Sequence, residues 1–221
     1  VAAPIGARMA GDVAALRASE TLLWLRASGH SALRHVALPR ILAALLVLPL
    51  AALIARYEPA SFSEHLAWST HGDLFLNDLL PVAYDRPTLE RVCRHIDRVQ
   101  ERLGVRMLLE NPSTYVEFER STMDEAAFLR EVLRRTGCGL LLDVTNVHVS
   151  CTNHGRDPTA YLRELPLDAV GEVHLAGFTR DADAAGDALL IDSHGGAVDE
   201  AVWSLFTAVV ARLGAVPTLL E

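Results

Sequence analysis

Five short apolar runs in this chain each end in a side chain that can hold a metal ion. That repetition constrains the fold more than any other feature. Ser63-Glu64-His65-Leu66 follows an extended entry, and Met107-Leu108-Leu109 runs into Glu110-Asn111-Pro112. Gly139-Leu140-Leu141-Leu142 runs into Asp143, with Asn146, His148 and His154 just beyond. Val170-Gly171-Glu172-Val173 runs into His174, and Pro217-Thr218-Leu219-Leu220 runs into Glu221. Apolar runs this short, set between helical patterns, read as buried parallel strands. In a (β/α) barrel the C-terminal strand ends converge on one mouth, where active sites sit. Carboxylates and imidazoles gathered there are costly to bury alone, and a metal is their usual partner.

Helical stripes fill the intervals. Leu89, Val92, Ile96, Val99 and Leu103 share one face of residues 87–103, with Asp85 and Pro87 at the entry and Gly104 at the exit. Thr122-Met123-Asp124-Glu125 reads as a capping box for a helix that Gly137 closes. Asp157-Pro158 opens a short helix, and Val202, Leu205, Phe206, Val209 and Leu213 stripe a last one that stops at Gly214. The alternation predicts an α/β fold of βα repeats, a sheet or barrel. A complete eight-unit barrel takes about 250 residues, ~200 at the least. Residues 57–221 therefore predict a partial TIM (β/α) barrel lacking its first units.

The composition changes near Arg56. Residues 10–30 read as a mildly amphipathic helix, and residues 41–55 are uncharged and almost wholly apolar around Pro49. A membrane-crossing helix needs about 20 apolar residues. Extending the run back to Val36 crosses Pro39 and Arg40, so residues 36–55 make a borderline span. The expected organisation is a helical segment over 1–56, with inner-membrane association through 36–55, followed by the α/β domain. No signal-peptide pattern fits. The formal charge is −8 and no dense basic run appears, which argues against nucleic acid as a partner. Cys93, Cys138 and Cys151 form no CxxC pair, so a disulfide framework is not expected and a reducing cytoplasm fits best. Cys93 and Cys138 read as small hydrophobes; Cys151, close to the strand ends, carries the alternative of a reactive thiol.

Six ordered blocks then carry a resemblance: YEPASFSEHLAWSTHGDLFLNDLLP, LLENPSTYV, GLLLDVTNVHVSCTNHGRDP, VGEVHLAGF, LLIDSHGGAV and VPTLLE. Residues 57–221 resemble the DUF692 family, also called UPF0276, whose studied members are multinuclear non-haem iron oxidative enzymes on a xylose-isomerase-like TIM barrel. The resemblance implies iron ligation by His65, Glu110, Asp143, His174, Asp192, His194 and Glu221. Of these, Glu110, Asp143 and His174 are the expected centre of catalysis. It also places Asn146 near the metals. Two or three irons and dioxygen as co-substrate are implied, and the reaction is oxidation of cysteines in ribosomally made precursor peptides. A partner protein would present the peptide.

The residues themselves choose less narrowly. Mixed imidazole and carboxylate donors suit iron, manganese or zinc. A divalent-metal isomerase or phosphodiesterase on a related barrel stays open, as does a non-catalytic membrane-associated fragment. A buried polar network without metal is the bland alternative, and so many carboxylates would need counter-charge. Asn111 either sets the turn with Pro112 or touches substrate. Glu64 orients a ligand or forms a buried ion pair rather than ligating. His71, His148 and His154 either orient ligands or make ordinary loop hydrogen bonds. Trp68 and Trp203 read as packing residues.

The sequence also departs from the DUF692 pattern. Thr145 stands where Asn is usual, Phe178 where His is common, and His148 where Tyr is frequent. About three βα units expected before Ser63, with an early histidine ligand, have no counterpart. In their place residues 1–56 resemble a fragment of an MlaE-type ABC transporter permease, through Gly6-Ala7-Arg8, Ala15-Leu16-Arg17-Ala18-Ser19-Glu20 and His35-Val36-Ala37-Leu38-Pro39-Arg40-Ile41-Leu42. A junction between two such pieces near Arg56-Tyr57 reads as a gene rearrangement or a sequence-assembly artefact, and weak or absent catalysis is expected of the joined chain.

Overall fold

The computed structural model describes residues 49–71, 74–183 and 185–221. The permease-like stretch and most of residues 36–55 lie outside the described residues. Residues 49–57 are helical. Among the described residues, no helix is long and apolar enough to cross a membrane. The chain divides into two compact units, residues 1–60 with 99–104, and residues 61–98 with 105–221. The sheet and the candidate site belong to the second.

Strands β1 (Ser63–His65), β4 (Leu108–Glu110), β5 (Gly139–Asp143), β6 (Val170–Leu175) and β9 (Thr218–Leu220) form one sheet in the order β1-β4-β5-β6-β9. Every neighbouring pair is parallel. These are the five runs singled out in the sequence. Their spatial order follows the chain without reversing, as successive units of a (β/α) barrel do; a doubly wound sheet reverses at its centre. Helices α1 (Arg86–Leu103), α2 (Glu125–Thr136), α3 (Val144–Asn153), α4 (Pro158–Glu164) and α5 (Glu200–Leu213) fill the connections. The core lies between sheet and helices, where Leu140, Leu142 and Val173 of the strands and Phe128, Leu129 and Val132 of α2 are fully buried.

Two antiparallel hairpins interrupt this pattern. One pairs β2 (Trp68–His71) with β3 (Leu74–Leu80), and the other pairs β7 (Phe178–Ala182) with β8 (Ala188–Asp192). Both connections carry hairpin signals that the sequence reading passed over: the pair Gly72-Asp73 in the first, and Gly186 within the five residues 183–187 in the second. The helix α3 was better hidden. Its sequence, Val-Thr-Asn-Val-His-Val-Ser-Cys-Thr-Asn, is rich in β-branched residues of low helix propensity. It forms because Asp143, the last residue of β5, is also its N-cap: Asp143 Oδ1 accepts the Asn146 backbone N–H at 2.7 Å. The capping box expected at Thr122 is displaced. Asp124 is the N-cap of α2, accepting Ala127 N–H at 2.7 Å, and Gly137 closes the helix with φ 68° as expected.

Two side chains extend the parallel ladder past the strand ends. Asn111 Nδ2 donates to the Asp143 carbonyl at 2.9 Å, and Asp143 N–H donates to Asn111 Oδ1 at 3.0 Å. Thr145 Oγ1 donates to the Ala176 carbonyl at 3.0 Å and accepts the Ala176 N–H at 2.8 Å. Both side chains are fully buried. They clip β4 to β5, and β5 to β6, at the level where the metal-type side chains emerge. The substrate-touching reading of Asn111 thus gives way to a structural one, because both ends of its amide are engaged by Asp143. Removing that clip in Asn111→Ala leaves the buried Asp143 N–H unpaired, while the Asp143 carbonyl keeps its bond as the N-cap of α3; the change is expected to cost about 1–3 kcal/mol in urea unfolding. A loss below about 0.5 kcal/mol would contradict the role given to it.

Candidate metal centre

Register places the donors before any side-chain contact is considered. Partner residues on adjacent parallel strands project from the same face, as do residues two apart on one strand. His65 is level with Glu110, Glu110 with Leu141, Asp143 with His174, and His174 with Leu219. One face of the sheet therefore carries His65, Glu110, Asp143, Glu172 and His174, with Glu221 two residues past Leu219. Glu64, on the other face of β1, is exposed, so the buried ion pair considered for it does not form.

The seven side chains meet. Ligand atoms of Glu110, Asp143 and His174 all lie within 4.8 Å of one another. Glu110 Oε2 is 3.3 Å from His65 Nε2, and Glu110 Oε1 is 3.9 Å from His174 Nδ1. Glu221 Oε1 is 3.6 Å from His174 Nδ1, and its Oε2 is 3.2 Å from His194 Nδ1. His194 Nε2 in turn lies 3.3 Å from Asp192 Oδ1. Among the described residues, every ion-pair partner of Glu110, Asp192 and Glu221 is a histidine.

The loop carrying His194 is held tightly. His194 has φ 51°, in the left-handed region that non-glycine residues enter rarely. Gly177, three residues after His174, lets this loop approach: a Cβ there would fall 2.4 Å from the Gly196 carbonyl oxygen. Asp192 ends β8 opposite Phe178. Its N–H donates to Tyr115 Oη at 3.0 Å, and its Oδ2 accepts from Ser113 Oγ at 3.3 Å. Tyr115, Ser113 and Glu172 escaped the sequence reading. For Glu172 a signal existed, its spacing of two from His174; for Tyr115 and Ser113 none did, because only the loop's path brings them to Asp192.

Burial dominates the electrostatics. Glu110 is pushed up to about 8 by desolvation first, then by the nearby carboxylates of Asp143, Glu221, Asp192 and Glu172. Burial raises Asp143 to about 7 against the pull of the Asn146 N–H, and Asp192 is raised as well. Burial lowers His65, which keeps its imidazole neutral and able to ligate. Asn146 Oδ1 is buried without a hydrogen-bond partner, and buried Asp192 Oδ1 has only the His194 contact at 3.3 Å, which is not a well-formed hydrogen bond. Asn146 Nδ2 is spent on the Asn111 carbonyl at 3.0 Å, leaving the oxygen orphaned. Under-satisfied buried oxygens beside carboxylates that resist ionisation are what a cation would satisfy. The donor set, oxygens and imidazoles only, fits a divalent first-row metal.

Other candidates lie elsewhere. His154 Nε2 is 2.9 Å from Thr114 Oγ1, and His148 packs against the Phe178 ring at 5.2 Å; neither pairs with the seven. The side chain of His71 lies outside the described residues. Cys151 is buried and its thiol is pushed up to about 11 by desolvation, which removes the reactive-thiol reading. Cys93 and Cys138 are buried as expected. Trp68 packs under Arg91, whereas Trp203 is 42% exposed beside Phe206.

Strand ends of a parallel α/β sheet that gather three imidazoles and four carboxylates define a candidate metal centre. Comparison with known proteins agrees in class. Residues 28–221 match the family model described as "RiPP precursor modification enzyme MbnB/TglH/ChrH", and the chain belongs to that family. The match begins inside the segment expected to be permease-like. A UPF0276 protein of Bordetella pertussis is 61% identical over 166 residues, covering 75% of this chain and 57% of that protein. One of Rhizobium meliloti is 57% identical over 171 residues, covering 77% and 55%. The chain spans a little over half the length of these curated relatives. Among solved structures, it is similar to a xylose isomerase domain containing protein of Salmonella typhimurium, with TM-score 0.46 and 14% identity over 80% of this chain and 60% of that one. A xylose isomerase domain protein of Planctomyces limnophilus gives TM-score 0.47 and 12% identity over 78% and 55%.

The raised carboxyls set a pH dependence. In the metal-free fold Glu110 and Asp143 hold protons that the unfolded chain sheds near their ordinary values of 4.5 and 3.8. Stability therefore falls as pH rises, between about 4 and about 8. The urea midpoint of metal-free protein is expected to drop across that window and to drop less in Glu110→Gln; a flat or rising midpoint would contradict it.

Proposed function

We propose that this chain carries the metal-binding face of an iron- and dioxygen-dependent enzyme that oxidises cysteine residues of ribosomally made precursor peptides, with a partner protein presenting the peptide. The observation that carries the reading is the convergence on Glu110. Its two oxygens face different imidazoles, His65 and His174, in a chain of the precursor-modification family. A carboxylate so placed suits two cations at once. Glu110, Asp143 and His174 would hold one ion; His65, Asp192, His194 and Glu221 would complete a set of two or three, with Asn146 Oδ1 as a further oxygen at hand. Iron would supply the one-electron chemistry that joins dioxygen to a thiol substrate.

The chain's own groups prepare the site. Asn111 and Thr145 fix the strand ends from which the donors project. Glu110 and Asp143 keep protons at neutral pH until a cation displaces them, so binding tightens as pH rises through the range about 7 to about 8. Manganese or zinc would fit the same donors, and redox turnover separates iron from both.

Elemental analysis of the chain loaded anaerobically with ferrous iron is expected to give about two or more irons per chain, and Glu110→Ala to lose most of them. Dioxygen uptake, followed on the chain and on the full-length Bordetella pertussis relative, is expected only with a cysteine-containing peptide and not with its serine counterpart. Stoichiometric zinc or manganese without iron, or uptake indifferent to the peptide's cysteine, would refute the proposal.

A further inference from the structure

We infer that Glu172, backed by Ser61, is a positioning residue that holds His174 in its Nε2–H tautomer and so presents Nδ1 to the metal centre. The inference rests on reading the cluster as a metal site. Glu172 precedes His174 by two residues on β6, so both side chains leave the same face. Glu172 Oε1 lies 3.4 Å from His174 Nε2. Its other oxygen accepts from Ser61 Oγ at 2.6 Å, across the sheet from the strand that follows Ser61. On the far side of the ring, Nδ1 faces Glu221 Oε1 at 3.6 Å and Glu110 Oε1 at 3.9 Å.

A neutral imidazole has one N–H and one lone pair, and a carboxylate only accepts. Carboxylates face both nitrogens, and the shortest of the three contacts is the one to Glu172, at 3.4 Å against 3.6 and 3.9 Å; the N–H is assigned there, which leaves Nδ1 free to ligate. A carboxylate in this position fixes the ring's orientation and raises the basicity of the ligating nitrogen. Ligation by Glu172 itself is disfavoured by its surroundings. Glu172 and Glu110 are both level with Leu141, which stands between the two carboxylates on the neighbouring strands. Ser61 already occupies its second oxygen.

Long-range 1H–15N correlation of the histidine rings tests this on the metal-free chain at mildly alkaline pH, with His174 assigned by its loss in His174→Gln. The wild-type ring is expected in the Nε2–H form. Glu172→Ala should release it toward a mixture, Glu172→Gln should keep it because the amide oxygen still accepts, and Ser61→Ala should loosen it less. Cobalt(II) titration is the second arm. Affinity should fall about 10–100-fold in Glu172→Ala and stay within a few-fold in Glu172→Gln, with unchanged visible bands.

An Nδ1–H ring in the wild type overturns the inference, as does a tautomer indifferent to Glu172→Ala. So does a Glu172→Gln variant that weakens cobalt as much as alanine and shifts its bands, since Glu172 would then be a ligand. Should Glu172→Ala fail to fold, Ser61→Ala and Glu172→Gln still decide between these outcomes. If cobalt does not bind while the tautomer responds as stated, the metal reading fails and the pairing of Glu172 with His174 stands.

Discussion

Glu110, Asp143, Asp192 and Glu221 share one mouth of the sheet, and no arginine is ion-paired with any of them among the described residues. Carboxylates crowded in a partly buried space cannot all ionise without a counter-charge. The free fold answers with protons, which is why Glu110 and Asp143 sit near neutrality instead of near four. A divalent cation is the other answer, and it releases those protons. The local structure around the mouth makes sense against that requirement, because each device keeps a donor in place that would otherwise be repelled outward.

Three such devices recur. Asp143 is shared between strand and helix: one oxygen caps α3, and the carboxylate still reaches Glu110 and His174. Asn111 and Thr145 tie adjacent strand ends through their neighbours' backbone, so the spacing of the donors is fixed by hydrogen bonds rather than by the donors themselves. Gly177 gives the His194 loop room to approach the end of β6, and His194 accepts a left-handed backbone to reach Glu221. Stability and function draw on the same contacts here, and strain is concentrated in the loop that brings the last imidazole.

The sheet and its donors were legible in the sequence because strands buried on both faces must be continuous apolar runs, and a polar residue at the end of such a run needs a reason. That rule picked out His65, Glu110, Asp143, His174 and Glu221. What it could not supply was anything set by long-range approach. Helix α3 has a strand-like composition and exists through its cap and its burial. Tyr115 reaches Asp192 only by the path of the loop after β4. His154 looked like a neighbour of the site in sequence, but the helix turns it toward Thr114. The chemistry of the metal was legible only through family resemblance, since imidazole and carboxylate donors do not distinguish iron from manganese or zinc.

The central claim is that a cation, and not a proton, is the natural partner of the Glu110 cluster. Anomalous diffraction at the iron edge, from crystals of the chain grown anaerobically with ferrous iron, tests it most directly. An anomalous peak roughly 2.0–2.2 Å from oxygens of Glu110 and Asp143 and from His174 Nδ1 is the predicted result. Iron scattered on exposed histidines, with nothing among those three residues, would contradict the account.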